Sequence, residues 1–230
     1  MSGMLNKLEQ EMRNKYKLRM ESGKGRNYDL RPQNVQMWQE IDLGIASLVA
    51  DSKIEALRVL VVGCGYGAEL YNLLRIGVAK ENLHCVDILP ERIADVKLNF
   101  PTLGSVEAGR FDPKLYASCF DLILCNTVLS SISREVDRAE LVNELSLVMS
   151  NDSKLVIVDL AYCNPWNKHV SAVNMKRLLA GTKLKLISKT KVTLFPQLSR
   201  RIQFRLPGLR KILALFPFFK VSNFHVITKT

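Results

Sequence analysis

Three glycines at alternate positions, Gly63, Gly65 and Gly67, follow the apolar run Arg58–Val62 and open a helical stretch. Glycine turns the backbone sharply and lets a ligand approach main-chain atoms near the positive end of a helix. Twenty residues after Gly67 the next apolar run ends in Asp87, a carboxylate placed to accept hydrogen bonds from both hydroxyls of a ribose. Strand, glycine turn, helix, strand and acid in that order predict a nucleoside ligand. Which nucleoside stays open at this point, because Gly63, Gly65 and Ala68 also satisfy the dinucleotide pattern G-x-G-x-x-G/A.

Other groups could move a proton. Asp159 ends an apolar run and could orient an acceptor or act as a base, or equally bond the local backbone. His169 follows the turn Asn164–Asn167 and titrates in the physiological range, although a surface histidine is the commoner outcome. His225 lies on the last apolar run and reads as structural or acceptor-facing. His84 begins a run, at the wrong end for catalysis. The five cysteines are odd in number and lack a C-x-x-C spacing, so they read as reduced core residues. No spacing suggests a metal site.

The elements that must position these residues alternate. Apolar runs at Arg58–Val62, Leu83–Ile88, Asp121–Cys125 and Lys154–Leu160 predict strands, with a weaker one near 104–108. Helical patterns at 67–77, 91–99 and 134–149 separate them. Such alternation predicts an α/β fold with a parallel sheet covered on both faces, whose ligands bind beyond the carboxyl ends of the strands. Ahead of it, residues 1–56 read as a helical cap or lid, with helices over 3–21 and 34–50 and a break at Ser22–Asn27. Within that lid Tyr28 and Arg31 are candidates to close over a cofactor. Behind it come a helix near 171–181, a long strand over 183–194, two short basic helices within about 196–220, and a last strand over 221–228. Two long strands joined by an excursion predict an antiparallel hairpin on the sheet edge.

Length and charge set limits. A chain of 230 residues with 47% hydrophobic and 24% charged residues suits one large α/β domain, not a disordered chain or a solenoid. No run approaches a membrane span, and Lys7, Glu9 and Glu11 argue against a signal peptide, so a cytoplasmic location is expected. The net charge of +11 is unevenly placed. Residues 161–230 hold 14 Lys/Arg and no Asp or Glu. An acidic partner is implied: an anionic membrane surface at the cytoplasmic face, or a nucleic acid. A solvated basic face without a partner is the plainer alternative.

The chain resembles the class I S-adenosylmethionine-dependent methyltransferases over about residues 57–160. Their first motif is similar to Val61–Gly67, their second to Val86-Asp87-Ile88 and their fourth to Phe120–Asn126. The resemblance implies a Rossmann-like seven-stranded, mostly parallel sheet with a C-terminal antiparallel hairpin, over 57–230. It also implies S-adenosylmethionine as cofactor, held by Gly63, Cys64, Gly65, Gly67, Asp87, Ile88, Phe111 and Asn126, with Tyr28 and Arg31 from the lid. The family often holds the adenine amino group with an acid after the third strand. Here Arg110 stands near that place, so either Asp112 substitutes through a shifted loop or Phe111 stacks on adenine. Thr127–Ile132, Asp159–Asn167 and the His225 strand resemble a bacterial subgroup associated with surface-polysaccharide synthesis. That implies O-methylation of a glycan or lipid-linked sugar, with Asp159 and His169 as candidate catalytic groups. Two alternatives remain: an RNA methyltransferase gripping its substrate with the basic third, or a cofactor-binding partner subunit without independent activity.

Overall fold

The computed structural model describes residues 10–18, 32–116, 120–163, 170–202 and 207–230. Residues 10–18 are helical (α1) and are followed by α2 (Pro32–Val49). The alternating part runs β1 (Val59–Val62), α3 (Ala68–Arg75), β2 (Leu83–Asp87), α4 (Pro90–Asn99), β3 (Ser105–Ala108), β4 (Phe120–Asn126), α5 (Glu135–Leu147) and β5 (Met149–Leu160). The chain ends with α6 (Met175–Leu179), β6 (Leu184–Leu194), α7 (Pro196–Ile202), α8 (Pro207–Ala214) and β7 (Lys220–Lys229).

The strands form one seven-stranded sheet in the order β3-β2-β1-β4-β5-β7-β6. All its strands run parallel except β7, which is antiparallel to both β5 and β6. This is the expected Rossmann-like sheet with a terminal hairpin. Side chains alternate across it, as the strand period requires. Val59 and Val61 of β1 face a core built with Ile41 and Ile45 of α2, Leu70 and Leu73 of α3, and Ile93 and Val96 of α4. Leu60 and Val62 face the other core, with Val142 and Leu145 of α5 and Leu178 of α6. Near-complete burial on both faces explains why these strands read as unbroken apolar runs. Through Ile41 and Ile45, α2 packs directly on the sheet.

Some bounds differ from the sequence reading. β5 starts at Met149 rather than near 154, because Met149 pairs with Phe120 before the register shifts. Within that shift Ser153 is fully buried and its hydroxyl donates to the Phe120 carbonyl. The helix expected over 171–181 is confined to α6, where the Asn174 side chain caps the Arg177 N–H. Cys64, Cys85 and Cys125 are buried. The expected break at 22–27, Tyr28, Arg31, Cys119 and the segment 164–169 lie outside the described residues.

The sheet order reverses between β1 and β4, so the loops after these strands diverge and leave a crevice at their carboxyl ends.

Candidate functional site

A cavity of about 550 Å³ fills this crevice. Of the residues expected to hold a cofactor, Gly63, Cys64, Gly65, Asp87, Ile88, Phe111 and Asn126 line it. Gly67 does not; with φ 85° it sits at the N-cap of α3. Gly63 has φ 72°, and a Cβ there would fall 2.3 Å from Val128 Cγ2, so the loop after β4 packs onto bare backbone. Gly65 has φ 56°, and nothing lies within 4 Å of where its Cβ would be. That open space is what a ligand needs to reach the main chain.

Asp87 locks the loop. It is 3% exposed, and its Oδ2 accepts from the Gly65 N–H at 2.9 Å while Oδ1 accepts from the Leu89 N–H at 2.9 Å. Arg92 of α4 adds an ion pair at 3.4 Å. A carboxylate has roughly four acceptor sites, so these bonds leave it able to take a hydroxyl from a ligand. The Arg92 guanidinium lies 4.0 Å from the centre of the Tyr16 ring and 5.4 Å from that of Tyr66. Sequence reasoning missed this stack. Arg92 stands five residues after Asp87, and no periodicity announces a contact that depends on the turn between them.

The far wall holds a second acid that the sequence reading did not select. Glu69, in the first turn of α3, is 4% exposed, and its Oε1 accepts from Asn126 Nδ2 at 3.2 Å. Burial pushes its carboxyl up to about 7, and the nearby acids Asp42 and Asp87 push the same way, against the Asn126 bond. Asn126 Oδ1 is buried without a partner. Trp38 lines the same cavity, and Asp42, one turn further along α2, lies on the helix face Trp38 occupies. After Asn126, Thr127 has φ 55°, a strained conformation for a β-branched residue, and it too lines the cavity.

Beyond β3, Phe111 is buried and stacks on Tyr116, with centroids 5.5 Å apart. Arg110 pairs with Glu144 at 2.8 Å and Glu140 at 3.0 Å on α5. Asp112 caps its own turn by accepting from the Lys114 N–H. Its carboxylate is thereby engaged locally, whereas Phe111 is on the cavity wall.

The described candidates for proton transfer lie elsewhere. Asp159 is 1% exposed; its Oδ2 accepts from the Ser130 N–H at 3.0 Å and its Oδ1 from the Leu160 N–H at 2.9 Å. It fastens the loop after β4 from below and is not on the cavity wall. Burial raises its carboxyl, against those bonds. His225 is buried in β7 opposite Ile157, its Nδ1 has no partner, and burial lowers it to about 4. It is not on the wall either. His84 sits at the amino end of β2 and bonds Ser105 Oγ at 2.9 Å. His169, Tyr28 and Arg31 lie outside the described residues.

Part of the N-terminal segment reaches the cavity. Met12, Arg13, Asn14, Tyr16 and Lys17 of α1 line the cavity. Lys15 Nζ donates to the Ser131 carbonyl at 3.0 Å and to Ser133 Oγ at 2.7 Å. With Tyr16 on Arg92, α1 spans the mouth from the loop after β4 to α4.

Residues 60–157 match the family described as "Methyltransferase domain". This is the class I methyltransferase fold. A magnesium protoporphyrin IX methyltransferase from Synechocystis, crystallised with bound SAM, is 15% identical, with 86% of this chain and 81% of that one covered and a TM-score of 0.58. The N-methyltransferase NodS from Bradyrhizobium japonicum is 16% identical over 84% of this chain and 97% of its own, at a TM-score of 0.59. A plantazolicin methyltransferase in complex with SAH is 18% identical over 100% and 98%, at 0.57. No curated protein sequence matches the chain.

Proposed function

We propose that this chain transfers the methyl group of S-adenosylmethionine to a hydroxyl of a glycan or lipid-linked sugar. The observation that carries the cofactor reading is the Gly65–Asp87 latch at the carboxyl ends of β1 and β2, with open space over Gly65 and an orphan carbonyl oxygen on Asn126. When bound, the cofactor supplies a methyl group already activated on a sulfonium, so the protein's task is mainly orientation. Asp87 would accept from the ribose hydroxyls, Gly63 and Gly65, whose N–H groups are donated to Val86 and Asp87, would offer backbone carbonyls, Phe111 would flank the base, and α1 would exclude water.

The acceptor side rests on Trp38 and on Glu69, whose carboxyl the Asn126 carboxamide bonds through Nδ2. An indole, a carboxyl and a carboxamide together suit a polyol. Glu69, with its carboxyl near 7, is partly ionised at neutral pH and is placed to take the proton of an acceptor hydroxyl. In this reading Asp159 positions the loop that carries Thr127 and Ser130. The bacterial subgroup resemblance supports the sugar class.

Methyl-labelled S-adenosylmethionine, incubated with an extract lacking the enzyme, tests the acceptor. Label in the lipid-extractable or polysaccharide fraction is expected. Label in RNA would transfer the acceptor role to nucleic acid bound by the basic third. Cofactor binding with every fraction unlabelled would favour a subunit that needs a partner. Replacing Asp87 by Ala tests the cofactor site separately. Loss of charge-assisted bonds should weaken S-adenosylhomocysteine binding by about 1.5–3 kcal/mol in calorimetry. Unchanged affinity in a folded variant would remove Asp87 from the site.

A further inference from the structure

The excursion between β6 and β7 exposes large apolar side chains. Leu209 and Ile212 of α8, then Leu215, Phe216 and Phe218, follow within ten residues; Leu215 is 77% exposed and Phe218 66%. Leu209 and Ile212 lie one turn apart on α8, and beyond its end the rings of Phe216, Phe218 and Phe219 touch one another. A contiguous apolar patch on a protein surface marks something that covers it.

Topology places this patch. Ser222, near the start of β7, pairs with Leu160 at the carboxyl end of β5. The excursion therefore leaves and rejoins the sheet at the end where the cavity opens. It also packs through α7 against α2, the helix that supplies Trp38 to the cavity wall.

Charge selects the occupant. Residues 161–230 carry 14 Lys/Arg and no acid, with Arg210 and Lys211 in the sequence of α8 itself. A second copy of the chain would bring like charge against like. A nucleic acid would satisfy the cations, but it gains little from Leu209, Ile212 and Leu215, which cannot stack on bases. An anionic bilayer satisfies both, taking the apolar side chains into the acyl boundary and the cations into the headgroup layer. No described helix is long and apolar enough to cross a membrane, and a docked α8 would lie along the surface.

We propose that α8 and the Phe216–Phe219 turn dock on an anionic lipid surface, with the mouth of the cavity at the same end of the molecule. Docking goes beyond the methyl-transfer reading and does not rest on the acceptor class. It does explain how an acceptor confined to a membrane would meet the site.

The test is co-sedimentation of the full chain with vesicles of phosphatidylglycerol and phosphatidylcholine, against vesicles of phosphatidylcholine alone, with S-adenosylhomocysteine affinity measured on the same protein. Binding to the anionic vesicles at low salt, weakened by added salt, is expected. The variants Leu215→Glu and Phe218→Glu should each lower it about tenfold or more while leaving cofactor affinity unchanged. No binding to anionic vesicles, or binding that both variants retain in full, overturns the proposal. So does apolar-patch-dependent capture of RNA, or dimerisation that the same variants abolish. Because cofactor affinity is read in parallel, a failed surface and a failed cofactor site give different results.

Discussion

Glu69 shows what a single buried acid does to the whole chain's response to pH. Its ordinary carboxyl value is 4.5, and burial raises it to about 7 in the fold. The folded state therefore holds a proton that the unfolded state has released, across the interval between those values. The stability it contributes is fully present below about 4.5 and is lost as pH rises through about 7. Glutamine in its place mimics the protonated form. Glu69→Gln should gain on the natural chain as pH rises from 5 to 8, by up to about 3 kcal/mol in urea unfolding. Parallel pH profiles for the two proteins would show that the Glu69 carboxyl is not held protonated. The same variant should lose methyl transfer, because the amide cannot accept a proton.

At the scale of elements, the site is a junction of four loops that other groups hold in place. Asp159 holds the loop after β4 by the Ser130 N–H. Arg138 of α5 reinforces it by donating twice to the Ile132 carbonyl, at 2.8 and 2.6 Å. Asp87 holds the glycine turn, and α1 is laid across both. Lys15 fastens that helix with one bond to a carbonyl and one to a hydroxyl, beside Glu11, which accepts from the Ser133 hydroxyl. Lys15→Ala removes contacts worth about 1–2 kcal/mol to α1 and little else. Hydrogen exchange in residues 10–18 should quicken, and S-adenosylhomocysteine should dissociate faster, while exchange in β1 and β4 is unchanged. Slow exchange persisting in α1 would mean that the Tyr16–Arg92 contact and the Ser133 hydroxyl donated to Glu11 suffice to hold it.

The whole molecule pairs a cofactor-facing parallel half with a basic terminal third. Edge strand β6 carries Lys185 and Lys189 exposed beside Ile187, a charged edge that discourages pairing with another sheet. The cavity lies at the junction of α1, α2, α3, α4 and the loop after β4, so a ligand there ties together elements distant in sequence. Ligand that binds only the folded state at one hundred times its dissociation constant adds about 2.7 kcal/mol. For a chain of this size that corresponds to a rise of about 5–10 °C in Tm with S-adenosylhomocysteine. A null shift at saturation would show that the cavity does not take the cofactor.

The order of the elements, the parallel sheet, its terminal hairpin and the glycine–acid pair were all legible in the sequence. Each depends on local signals: unbroken apolar runs where strands are buried on both faces, helical spacing between them, and glycines where φ is positive. The basic third was legible from counting alone. What the sequence could not show is which distant groups meet. Glu69 and Asn126 are 57 positions apart, and Lys15 reaches Ser131 across 116. Asp159 looked like a candidate base because it ends a strand near the site, yet the fold spends both its oxygens on backbone N–H groups. Glu69 looked like an ordinary acid at a helix start, yet tertiary burial gives it a neutral-range carboxyl on the cavity wall. Local patterning sets the elements because backbone geometry and burial repeat with the strand and helix periods. Proximity, desolvation and the free lone pair are properties of the packed chain, and only the tertiary structure decides them.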